Sequence, residues 1–251
     1  AGSCIAAAVD ARWYNFHNTY GYGVLYYRLA NSIESLILNT GSLDQNNKEK
    51  KEERIHFSLT LISFLSLFGL SILIAHATFD EMKLRLFAIL IINASFFNTD
   101  IWTTYVFRAH PDLLLSVLTG LFIYTLYKSK YEKNIGLYYL SAFFAAAALS
   151  SKQTFIIFLP GIIFIEIPPI QKERVVRLIN YFLVFSVSYF FIGFPQNFRI
   201  DQNVSFLLRA TNLFYPPTLE SFTQWWLLLF EQSYIPLIAI IILYLLFGKS
   251  K

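Results

Sequence analysis

The side chains with chemistry to offer stand at the ends of apolar runs: Asp10, His17, Asp100, Arg108, His110, Asp112 and Lys152. Hydrocarbon penalises ionisable groups, so those kept near it are usually paired or functional. Carboxylates beside cations at a lipid–water boundary suit one task well. The cations hold a lipid phosphate while a carboxylate acts as general base toward a hydroxyl acceptor. Plainer roles compete. Arg108 and Asp112 are spaced as a helical i,i+4 pair. Lys152 can snorkel to the interface, Asp100 can cap the turn that follows it, and Asp10 can be an ordinary loop acid or helix cap. His17 and His110 lack a third ligand at metal spacing, so no metal site is expected. Cys4 is the sole cysteine, which excludes an internal disulfide and a cysteine metal site.

The elements that must position these groups are membrane helices. Hydrophobic residues make up 56% of the chain and charged residues 14%, well below the roughly 25% charge of soluble domains. A span needs about 20 apolar residues. On that basis residues 55–77, 84 to about 99, 113–127, 135–149, 154–167, 176–194 and 225–247 predict about seven spans. Pro111 can open the third as a first-turn residue. The small residues Ala142 and Ala145 to Ala148 place the fourth in the middle of the bundle. Pro160 and Gly161 predict a kink in the fifth. The expected fold class is therefore all-α, a polytopic transmembrane helix bundle forming a single integral membrane domain over residues 1–251. The chain begins at Ala1 and its one methionine is Met82, so it is expected to be truncated at both ends.

Orientation follows from the basic residues. One set of alternate connections holds Lys83, Arg85, Lys128, Lys130, Lys133, Lys172, Arg174, Arg177, Lys249 and Lys251, and is assigned to the cytoplasm; the other set, beyond residue 54, holds only Arg108, Lys152, Arg199 and Arg209. Residues 1–54 are then a non-cytoplasmic first loop, and residues 195–221 a second loop on that side. Within the first, residues 20–38 predict an amphipathic segment lying in the interface, with Leu25, Leu29, Ile33, Leu36 and Ile37 on its apolar side. Arg28 and Glu34 argue against reading that segment as a span. Tyr26 and Tyr27 are expected to be interfacial anchors. The net charge of +4 reflects cytoplasmic anchoring and implies no nucleic-acid partner.

The features also come in a telling order. Asp10 is followed by Tyr20-Gly21-Tyr22-Gly23-Val24-Leu25-Tyr26-Tyr27, then by two spans, then by Arg108-Ala109-His110-Pro111-Asp112, and after a returning helix by Ser151-Lys152-Gln153-Thr154. Over residues 10–195 this resembles the GT-C glycosyltransferases, in the bacterial branch similar to protein mannosyltransferases and aminoarabinose transferases. Two departures are visible: Ala11 stands where several branches carry a second acid, and the Arg108 to Asp112 spacing is two residues longer than the tight family form. The resemblance implies a membrane glycosyltransferase that moves a sugar from a polyprenyl-phosphate donor to a hydroxyl acceptor, with inversion. It implies Asp10 as the base, Arg108 and Lys152 at the donor phosphate, and Asp100, His110 and Asp112 in support. It implies no cofactor. The partners would be the polyprenyl-phosphate-linked sugar, an acceptor protein, lipid or glycan, and the bilayer, in a bacterial inner membrane rather than the endoplasmic reticulum. A transporter would instead place charges near the bilayer midplane, and a non-catalytic membrane scaffold would need no clustering of acids and bases.

Overall fold

A computed structural model of the chain describes residues 24–38, 48–97, 111–152, 155–156, 159 and 172–194, with single positions at 223, 227, 238, 240–242 and 244–245. Every described element is helical. Helix α1 is Val24–Ile33, continued by a π-helical turn, Glu34–Leu38; α2 is Lys48–Thr78, α3 Met82–Phe97, α4 Asp112–Tyr131, α5 Ile135–Ser151 and α6 Lys172–Gly193.

The connections fix an up-and-down order. Between α4 and α5 the turn is three residues long. Lys133 adopts φ 52°, the left-handed conformation that a β-carbon disfavours. Asn134 then caps α5 by accepting from the amides of Gly136 at 2.9 Å and Leu137 at 3.3 Å. This turn folds α5 back antiparallel on α4. Replacing Lys133 by Gly is expected to stabilise the fold by about 1 kcal/mol, read as a rise in the thermal midpoint.

Helix α2 packs on both α3 and α4, α5 packs on α4 and α6, and α1 lies across α2, α5 and α6. Helices α2 and α4 run parallel: Gly69 faces Val117, Gly120 faces Leu73, and His76 meets the ring of Tyr124. A β-carbon at Gly120 would come within 2.7 Å of Leu73 Cδ2, so the leucine tip occupies the space that the glycine leaves. Small residues also make room in α5, where Ala142, Ala145, Ala146 and Ala148 are fully buried with Tyr181 and Phe185 of α6 and Phe122 and Leu126 of α4. Polar groups in mid-bundle satisfy one another locally, as where Asn93 of α3 donates to Ser71 Oγ of α2 at 2.7 Å.

Two helices are long and apolar enough to cross a membrane, Glu53–Thr78 and Val175–Gly193, and Ile135–Ser151 is a shorter apolar helix. The expectation of about seven spans is thus met on length and composition by two among the described residues. The shortfall has a physical basis. Helix α3 has 16 residues and α5 has 17, which at about 1.5 Å per residue fall short of a hydrocarbon core about 30 Å thick. Helix α4 carries Asp112 in its first turn and Lys128 and Lys130 in its last. The spans expected at 154–167 and 225–247, and the kink at Pro160, lie largely or wholly outside the described residues.

Candidate functional site

The hairpin of α4 and α5 brings the start of one helix beside the end of the other. Pro111 forms the N-cap of α4 with φ −68°, and Asp112 follows in its first turn. Lys152 forms the C-cap of α5 in extended conformation, its amide bonded to the carbonyl of Ala148 at 3.0 Å. Beyond it Phe155 is buried and meets Phe122 edge to face, with centroids 5.6 Å apart, which anchors the chain as it leaves the helix. The result is an ion pair: Lys152 Nζ donates to Asp112 Oδ1. The lysine side chain is 20% exposed and the aspartate 32%, so the pair sits at a boundary rather than in the core. Next to it the hydroxyl of Ser151 is buried with no hydrogen-bond partner among the described residues.

Helix α1 closes the same end. Tyr26 and Tyr27 are fully buried against Ile55, Leu59 and Ile62 of α2 and Leu114 of α4. The Tyr26 hydroxyl donates to the carbonyl of Leu59 at 3.3 Å and lies 3.1 Å from Ser63 Oγ. These tyrosines are core residues, which corrects their reading as interfacial anchors. Arg28 reaches across the bundle, donating from Nη1 to the carbonyl of Ile192 at 2.7 Å and from Nη2 to the carbonyl of Phe194. It supplies to the end of α6 the donors that helix C-termini lack. Burial lowers its pKa from the ordinary value, yet an arginine stays charged and suits carbonyl oxygens in the place of water. Glu34, in the π-helical turn, is buried and accepts from Arg54 Nε at 2.8 Å, which ties the end of this first segment to the start of α2.

Of the residues singled out from the sequence, Asp112 and Lys152 come together. Asp10, His17, Asp100, Arg108 and His110 lie outside the described residues. Among the described residues Asp112 pairs with Lys152. Lys152 does not simply reach for water as a snorkelling lysine would. Among the described residues no three His, Cys, Asp or Glu side chains gather as a metal site. Sequence reasoning missed Arg28, Tyr26 and the Glu34–Arg54 pair. The available signal was a charge inside an apolar stretch, which demands a partner. Periodicity cannot name a partner 164 residues away.

Replacing Arg28 by Met keeps the apolar stem and removes the donors. The expected loss is about 1–3 kcal/mol of stability, with faster amide exchange confined to the last turn of α6 and the Tyr26 contacts.

No family model, curated protein or solved structure matches this chain.

Proposed function

We propose that this is a multi-pass integral membrane glycosyltransferase. It transfers a sugar from a polyprenyl-phosphate donor to a hydroxyl acceptor at the end of the bundle where Asp112, Lys152 and α1 lie, the non-cytoplasmic face, in a bacterial inner membrane. The observation that carries the reading is the meeting of Lys152 with Asp112 at the end that α1 covers. The resemblance assigns donor phosphate and acceptor to that end. In the resting form Asp112 holds the ammonium in place. The arriving donor brings a phosphodiester with one negative charge on two free oxygens, which competes for it, and the polyprenyl phosphate that leaves carries more charge and a third free oxygen.

The membrane part of the reading is supported by the outer faces of the helices. Phe57, Phe64 and Phe68 on α2, Leu86 and Leu90 on α3, and Leu183, Val187 and Phe191 on α6 are all exposed, Phe191 at 82%. So many exposed apolar side chains are at home against acyl chains and a liability in water. In α2 to α5 the charged groups keep to the helix ends, which favours an interfacial site over a conduit through the midplane.

The full chain, reconstituted in vesicles with polyprenyl-phosphate-linked sugars and hydroxyl acceptors, is expected to release polyprenyl phosphate and give a glycoside of inverted anomeric configuration. Retention of configuration defeats the single-displacement mechanism. Movement of solute across the vesicle wall without any transfer defeats the enzyme reading in favour of a transporter.

A further inference from the structure

At the opposite end of the bundle the last turns of α2 and α4 and the start of α3 open a cavity of about 980 Å³. Its lining alternates charge with aromatic rings. Arg85, Lys128, Asp80 and Glu132 supply the charges, and Tyr124 and Tyr127 stand on one face of α4. These groups are organised rather than scattered. The Lys128 ammonium lies 5.8 Å from the centroid of the Tyr124 ring and 3.5 Å from Glu132 Oε1. His76 meets the other side of the arrangement, its ring 5.8 Å from that of Tyr124 at 64°. Arg85 is fixed by one bond, from Nε to the carbonyl of Phe79 at 2.8 Å, and a guanidinium has further N–H donors beyond that one.

The lining selects a ligand by exclusion. Lys128 and Glu132 stand paired at 3.5 Å, so the lining offers both signs side by side: a purely anionic group would meet Asp80 and Glu132, and a purely cationic one Arg85 and Lys128. A phosphodiester that also carries an amine satisfies both signs: its phosphate goes to the guanidinium and ammonium, and its own ammonium to a carboxylate and the faces of tyrosine rings. The volume is at the upper end of small-molecule sites, so it accommodates the glycerol portion as well as the headgroup. Lys83, Lys130 and Lys133 stand at this end, the pattern of a cytoplasmic membrane boundary. We propose that this cavity binds the headgroup of a zwitterionic aminophospholipid of the cytoplasmic leaflet, a site separate from the sugar-transfer end. The proposal rests on the membrane part of the reading above and not on the glycosyltransferase part.

The test uses the full chain, delipidated in detergent and titrated with phosphatidylethanolamine or phosphatidylglycerol, with bound lipid counted by native mass spectrometry. Phosphatidylethanolamine is expected to be retained about tenfold better, and Arg85→Gln and Glu132→Gln each to cut that retention by up to about tenfold. Glu132 is exposed, so its variant tests the site even where Arg85→Gln disturbs the turn at Phe79. Lys130→Gln, a cation of the same helix outside the lining, is expected to leave retention unchanged. Equal retention of the two lipids, or indifference to both cavity variants, overturns the proposal. Soluble glycerophosphoethanolamine competing as well as the lipid overturns the lipid source and keeps the headgroup chemistry. A chain that needs no detergent or membrane to stay dispersed overturns the membrane reading itself, whereas one that inserts and shows no lipid preference overturns this site alone.

Discussion

If Asp10 is the base of the proposed transfer, asparagine at that position is expected to slow it by about 10²- to 10⁴-fold, the usual worth of a positioned general base. The change keeps the shape of the side chain and removes its ability to take a proton. The acceptor hydroxyl would then attack the anomeric carbon without deprotonation, so the loss belongs in kcat and not in donor affinity. Single-turnover measurement with saturating polyprenyl-phosphate sugar separates the two. Glutamate at the same position keeps the base and moves it by one methylene, so part of the rate is expected to return. Full turnover in the asparagine variant would take the base away from Asp10 while leaving the class of enzyme open to other carboxylates.

The second large effect concerns the pair at the head of α4 and the end of α5. If the Lys152 ammonium receives the donor phosphate, Lys152→Met removes a charge-assisted contact and raises the KM for donor by about 10- to 100-fold. Asp112→Asn removes the resting partner and leaves the ammonium available, so donor KM is expected to stay level or fall. A strut with no role in binding gives a different pattern. Either single change then costs stability, donor KM moves with neither, and the double variant is no worse than the worse single. Both side chains are partly exposed, so the stability contribution of the pair itself is expected to be modest, about 1 kcal/mol or less. Thermal midpoints and donor titrations on the three variants distinguish the two cases.

How much of this was legible beforehand depends on the distance over which each feature is set. Apolar runs are local, and the stretches read at 55–77, 113–127 and 135–149 fall inside α2, α4 and α5, with the charged lead from Lys48 continuing α2 toward its N-terminus. The alanine run of α5 announced close packing, and those alanines are buried. The meeting of Asp112 with Lys152 could be anticipated only as two residues at one membrane level, since the short hairpin turn at Lys133 and Asn134 is what sets them side by side. Tyr26 and Tyr27 were misassigned because an amphipathic segment beside a membrane and one buried under other helices have the same periodicity. Glu34 and Arg54 fall in separate segments, Arg54 within a nearly balanced charged run, and nothing local joins them across a separation of 20 positions. Among the described residues fewer helices than expected reach spanning length, because composition marks an apolar stretch without fixing its ends, and α3 and α5 stop short.

The grip of Arg28 on the carbonyls of Ile192 and Phe194 also carries a schedule. The arginine leaves the ribosome long before the residues it holds, which follow 164 and 166 positions later. At about 5–20 residues per second that interval is of the order of ten seconds. Throughout it those two bonds are unmade, and α1 can rest only on α2, α4 and α5. Bundle closure is therefore a late event in synthesis. A nascent chain halted after α5 would hold the first helix unlatched, and a crosslink between positions 28 and 193 would time the moment the latch falls.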